Sequence, residues 1–145
     1  MKLFDLTGQN ALVIGIGGLG AEAAMGLAGA GAFVAAADID SARAEAVADR
    51  IRQAGGNCQA YCVDVCSKTS VADLINAVTS AGGPIGTAVI ASGITRRGLP
   101  ENFNESDWDQ VIAVNLKGCF LCCQAVGRHM LASGGGSIIN FSSIA

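Results

Sequence analysis

At 145 residues the chain is long enough to bury a real core and short enough for one domain. Apolar residues make up 51% and charged ones only 14%, against about a quarter in ordinary globular chains. That balance suits a sheet buried on both faces and leaves apolar surface for a partner. The net charge of −3 has no basic footprint, which argues against a nucleic-acid binder.

The elements follow in chain order. Met1 to Leu6 carries no leader signature. The apolar run from about Asn10 to Ile14 reads as a buried strand. It enters Gly15-Ile-Gly-Gly-Leu-Gly20, a G-x-G-x-x-G pattern at Gly15, Gly17 and Gly20. An Ala-rich helix over about 18–30 comes next, with Leu19, Ala23 and Leu27 on one face and Gly29 and Gly31 as candidate C-caps. The second strand is 33–38. Ser41 or Asp40 caps a helix whose Ala44, Val47, Ala48 and Ile51 recur at i, i+3, i+4, i+7. A strand over about 58–63 follows. Then Ser67 caps a helix with Val71, Leu74, Ile75 and Val78 in the same pattern, stopped by Gly82-Gly83-Pro84. The fourth strand covers about 87–91.

A loop from Ser92 to about Glu105 leads into the longest helix, about 106–131. There Trp108, Val111, Ile112, Asn115, Cys119, Cys122 and Val126 share a stripe. Ser133 to Gly136 ends it, and the last strand is 137–142. Strands alternating with helices imply an α/β, Rossmann-type doubly wound parallel sheet, because crossovers are right-handed. The expected order is 3-2-1-4-5, with ligand bound past the carboxyl ends of strands 1 and 4.

Two rival readings fail on the same residues. The stretch 11–37 holds one charge, Glu22, and is long enough to span a bilayer. It also holds seven glycines and splits into strand, helix and strand, so no membrane partner is expected. The six cysteines cluster as Cys58, Cys62, Cys66 and as Cys119, Cys122, Cys123, and His129 is the only histidine. No second Cys pair or histidine set completes a metal site, so they read as reduced, small apolar side chains in a reducing, cytoplasmic compartment.

Several positions carry chemistry. Strand, glycine turn and helix form the context of a dinucleotide site: of Gly15, Gly17 and Gly20, one makes the tight turn, one admits a pyrophosphate and one lets helix lie on strand. Gly18 and Leu19 belong to the same loop, whose helix N-terminus attracts phosphate. Asp38, 18 residues after Gly20, ends the second strand. Its carboxylate can accept from a ribose diol and would repel a 2′-phosphate, which favours NAD over NADP; no Arg or Lys stands nearby until Arg43. Asp38 could instead cap a helix. Asp64-Val65 face the adenine side or form a plain strand-end turn. Asn115, in an apolar stripe, is expected to be buried with fixed partners, as a site residue or a helix-kinking amide. Ser142-Ser143 lie where a hydroxyl can hold a substrate carbonyl, or form a Ser-rich turn.

Together these residues resemble the classical short-chain dehydrogenase/reductase family over essentially the whole chain. Phe4 through Val13 is similar to its opening strand, Asp38 with Ile39 to its NAD-selecting acid, and Asp64-Val65 to its adenine-contacting pair. Trp108 through Gly118 resembles its fourth-helix signature, with Asn115 at the catalytic asparagine. Gly136 through Ser143 resembles its fifth strand, with Ser143 at the catalytic serine. The resemblance implies hydride transfer between an alcohol or carbonyl substrate and NAD. In it a tyrosine moves the proton, a lysine lowers that tyrosine's pKa, serine orients the substrate oxygen and asparagine anchors a relay water.

The sequence departs from that pattern in three places. The phosphate loop is one residue short, with Ile14 in place of a threonine. The family's Asn-Asn-Ala-Gly reads Ile90-Ala91-Ser92-Gly93. The only tyrosine is Tyr61, with Val65 four residues on, so no Tyr-x-x-x-Lys is present and the chain stops at Ala145, where that helix is due to begin. The expectation is the cofactor-binding, N-terminal part of an NAD-dependent enzyme, inactive by itself, which self-associates through its fifth-strand edge. The opening from Leu3 to Gly8 is similar to that of the family's gluconate 5-dehydrogenases and other sugar-acid or polyol enzymes. The alternative is a non-catalytic dinucleotide-binding or interaction module. A nucleotide-fold methyltransferase fits the glycine loop but not Asn115 and Ser143.

Overall fold

A computed structural model describes residues 4–143. Met1 to Leu3, read above as free of a leader, lie outside the described residues, as do Ile144 and Ala145.

Five parallel strands form one sheet in the order β3-β2-β1-β4-β5, as expected. They are β1 (Asn10–Ile14), β2 (Phe33–Asp38), β3 (Asn57–Cys62), β4 (Ile85–Ile90) and β5 (Ser137–Asn140). Strand side chains alternate between the two faces. Ala11, Val13, Val34 and Ala36 bury against α1 (Gly18–Gly29) and α2 (Ser41–Gln53). Leu12, Ile14, Ala35, Ala37, Ile85 and Ile90 bury with α3 (Lys68–Gly82) and the long helix on the other face. With helices on both faces, the central strands are mostly apolar, and β1 is buried throughout, its Asn10 included.

Capping follows local chemistry. Asp40, not Ser41, caps α2: its carboxylate accepts from the Ala42 and Arg43 N–H groups. Ser67 caps α3 through the Ser70 N–H. The apolar sets of α2 and α3 are the buried ones, as their periodicity implies. In α1 the expected face is covered only in part, with Ala23 and Leu27 half-buried. Leu19 is 67% exposed, and the buried residues are Gly20, Ala21, Ala24 and Ala28. The helix is so rich in small residues that periodicity scarcely orients it, and its close approach to β1 selects the smallest side chains. Gly29 lies inside α1; Ala30 is its C-cap and Gly31 follows at φ +99°. The edge strands are shifted or shorter than expected: β3 starts one residue earlier, and β5 ends at Asn140.

The longest helix is not uniform. It comprises α4 (Glu105–Val111), a π-helical segment Ile112–Gly118 and α5 (Cys119–Ala132). By length and composition this 28-residue stretch could cross a bilayer, yet Cys122, Val126 and Met130 pack it into the core beneath the sheet. The Ile85 N–H donates to His129 Nε2 at 3.0 Å, pinning α5 to β4. Trp108, Ile112, Leu116 and Phe120 are exposed, so the expected stripe is buried only in its α5 half.

Register positions the site. Ile14 pairs with Ala37 on one side and Ile90 on the other, and Ile90 pairs with Asn140. The chain therefore leaves four strands at one level. The Gly15 N–H donates to the Ala37 carbonyl, and the Ala91 N–H to the Ile14 carbonyl, both at 2.8 Å. The glycine turn, Asp38 and the 91–93 loop meet at that edge.

Candidate nucleotide-binding site

A cleft of about 260 Å³ opens at this edge. The glycines of its floor divide their work as the spacing implies. Gly15 has φ +89°, and a Cβ there would fall 2.3 Å from the Ser92 backbone nitrogen. A Cβ on Gly20 would sit 1.8 Å from the Gly15 carbonyl oxygen, so any side chain there forces α1 off the strand. Gly17 differs: a Cβ on it would meet nothing within 4 Å. It is the N-cap of α1 and brings no capping side chain, so the helix's first N–H groups remain open to an anion.

Asp38 closes one end. It is 6% exposed, and its carboxylate accepts three hydrogen bonds. Oδ2 accepts from the Ile16 N–H at 2.8 Å, which ties the glycine loop to β2. Oδ1 accepts from the Asp40 N–H at 3.0 Å and from Arg43 Nη1 at 3.4 Å. These bonds compensate burial of the charge. Ile39 beside it is exposed and lines the cleft. Asp64 stands on the far wall, where its Oδ1 accepts from the Cys66 N–H at 2.9 Å, and Val65 is buried next to it. The Cys66 thiol also borders the cleft; burial first, and then the Asp64 carboxylate, push its pKa up, so it stays protonated rather than acting as a thiolate.

The wall after β4 is Ala91, Ser92 and Gly93. The Ser92 hydroxyl is buried with no hydrogen-bond partner among the described residues. An orphaned polar atom in a cleft with an open helix N-terminus and a carboxylate at one end fits a dinucleotide. Of the expected cofactor residues, the cleft gathers Gly15, Gly17, Asp38, Ile39, Asp64, Val65, Ala91, Ser92 and Gly93, while Gly18, Leu19 and Gly20 stay outside its lining. Sequence reasoning missed Ile94, Val114 and Arg43 as lining residues. Arg43 was visible as the nearest cation to Asp38, but which way it folds depends on α2.

Asn115 is exposed, contrary to expectation. Its partners are nevertheless fixed. Oδ1 accepts from the Ile94 N–H and Nδ2 donates to the Ile94 carbonyl, both at 2.9 Å. A π-helical turn widens the helix locally, and the amide sits in that turn and clamps the loop that follows β4. The apolar neighbours Ile112 and Leu116 are exposed as well, which is why stripe membership misjudged its burial. Ile94 borders both the cleft and a second pocket holding Asn115, Trp108 and Arg96. Ser143 is exposed beyond β5 and outside the cleft lining.

The family model for short chain dehydrogenases matches residues 9–145. The chain belongs to the short-chain dehydrogenase family. It is similar to D-threitol dehydrogenase of Mycolicibacterium smegmatis, at 40% identity over 97% of this chain and 54% of the relative. It is also similar to gluconate 5-dehydrogenase of Gluconobacter oxydans, at 35% identity over 98% of this chain and 56% of that enzyme. A solved short-chain type dehydrogenase/reductase from Mycobacterium marinum superposes with TM-score 0.95 at 34% identity, covering 98% of this chain and 58% of its own. The chain thus spans about half the length of the curated relatives it matches. The family binds nicotinamide dinucleotides, and the cleft at the β1/β4 switch point is where such a cofactor fits.

Proposed function

We propose that residues 1–145 form one nucleotide-binding unit of an NAD-dependent short-chain oxidoreductase that moves hydride between an alcohol and its carbonyl. The observation that carries this reading is the bond from Asp38 to the Ile16 N–H. It joins the acid at the ribose end to the loop at the phosphate end. In this reading Gly17 and the first turn of α1 hold the pyrophosphate, and Asp38 with Ile39 meets the adenosine ribose. Asp64-Val65 flank the adenine, and Ser92 and Gly93 face the nicotinamide half. The nicotinamide supplies the hydride acceptor or donor. Asn115, clamped on Ile94, holds a relay water, and Ser143 orients the substrate oxygen. Polyols or sugar acids are the substrate class of the whole protein, by likeness to the D-threitol and gluconate enzymes. The six cysteines are free, which supports a reducing, cytoplasmic setting. The exposed apolar residues of α4–α5 and of β5 support self-association.

The second reading is a non-catalytic dinucleotide module. The only tyrosine, Tyr61, lies on β3 with its hydroxyl buried, and burial raises its pKa. It is not the proton-transfer group. The 145-residue chain is therefore expected to bind NADH, more tightly than NADPH, in a fluorescence titration, yet to give no NADH from NAD with D-threitol or gluconate. Turnover by the purified chain would overturn the inactivity. Equal affinities for the two cofactors would overturn the role of Asp38.

A further inference from the structure

We infer that Arg43 sets how strongly this cleft discriminates against a 2′-phosphorylated cofactor; the inference rests on the nucleotide reading above. An acid at the end of β2 rejects NADP by presenting its charge to the ribose. Here that charge is not freely presented. Asp38 is 6% exposed, with one oxygen held by the Ile16 N–H and the other by the Asp40 N–H and by Arg43. Arg43 is the opposite case. Its side chain is 52% exposed and lines the same cleft, with Nη1 3.4 Å from Asp38 Oδ1 and Nη2 3.5 Å from Asp40 Oδ2.

One guanidinium thus lies against two carboxylates at the point where the ribose is to bind. It offsets part of their charge, and it is the group there best able to turn outward. An arginine has five N–H donors in a planar fork, and one hydrogen bond to Asp38 with an ion-pair contact to Asp40 leaves donors for a phosphate. Asp40 is itself occupied as the cap of α2, accepting two backbone N–H groups at 3.1 Å, so the residue that can rearrange is Arg43. The preference for NADH is accordingly modest in the parent chain, because Arg43 tempers it.

The test titrates NADH and NADPH into the parent, Arg43→Ala and Arg43→Lys chains, following cofactor fluorescence at low and high salt. The ratio of NADPH to NADH dissociation constants is expected to rise about tenfold in Arg43→Ala, the size expected for losing one cation beside a phosphate dianion near a surface. The rise comes from weaker NADPH binding, with NADH changed by less than about threefold. Arg43→Lys keeps the charge and stays within about threefold of the parent ratio. High salt shrinks the difference between parent and Arg43→Ala. A ratio unchanged in Arg43→Ala, with NADH still bound, would overturn this inference and leave the nucleotide reading standing. A parent chain that binds neither cofactor would overturn both. Arg43 is exposed, so circular dichroism of the variants is expected to match the parent.

Discussion

Replacing Gly20 with alanine tests whether the glycine loop is shaped by packing. The new Cβ would lie 1.8 Å from the Gly15 carbonyl oxygen, 3.0 Å from its carbonyl carbon and 3.3 Å from Ala91 Cβ. Two of those three atoms are backbone, so no side-chain rotation relieves the clash. Helix α1 must retreat from β1, and Ala24 and Ala28, buried along the same face, lose contact with it. Overpacking of this kind costs up to about 3 kcal/mol. Alanine's better helix propensity returns about 1 kcal/mol, so the net loss is about 2 kcal/mol. For a chain of this length that lowers Tm by roughly 6 °C. The companion variant, Gly17→Ala, places its methyl in open space on an extended backbone at φ −71°. It costs no more than about 1 kcal/mol as an N-cap change. It does obstruct the approach of a phosphate, and is expected to weaken NADH binding about tenfold through lost charge-assisted hydrogen bonds. Thermal denaturation by circular dichroism and a fluorescence titration separate the two. A Gly20→Ala chain melting within about 1 °C of the parent would refute the packing argument. A Gly17→Ala chain binding NADH like the parent would refute the division of labour between the glycines.

Asn115→Ala removes both bonds to the Ile94 backbone, a local loss of about 1–2 kcal/mol. Faster hydrogen exchange at the Ile94 amide is the expected readout, with Tm nearly unchanged because the site is exposed; unaltered exchange would show that the clamp does not hold the loop. Burial pushes the Cys58 thiol to about 11 and the Cys122 thiol to about 12. The folded chain thus keeps protons that the unfolded chain sheds above the ordinary thiol value of 9.0. Stability is unaffected below that pH and falls as pH rises from there toward 11 and 12. Urea midpoints measured from pH 8 upward are expected to decline, and Cys122→Ala to flatten the decline relative to its own value at neutral pH.

The sheet order and the buried faces of α2 and α3 were legible because they rest on local rules. An apolar period of 3.6, a capping hydroxyl or carboxylate, and an uninterrupted apolar strand each act within a few residues. α1 defeated the same reasoning because a helix made largely of alanine and glycine has little periodicity to read; its orientation is decided by how closely it lies on β1. Asn115 failed for a related reason. Its place in an apolar stripe assumed a regular helix covered on that side. The helix instead passes through a π-helical turn there, and Ile112 and Leu116 beside it are exposed.

By itself, the sequence determined an alternating parallel α/β chain, a glycine loop after its first strand, the family, and part of the set of residues that line the switch-point edge. These follow from patterns that need no partner distant in the chain. Only the tertiary structure decided what those residues do to one another. Register aligned Ile14, Ala37 and Ile90 and so set Asp38 against the Ile16 N–H, 22 positions away. The entry of α2 then laid Arg43 across Asp38. The charge at that end of the cleft is a property of this three-residue arrangement, because hydrogen bonds and burial, not residue type, determine which charges a ligand meets.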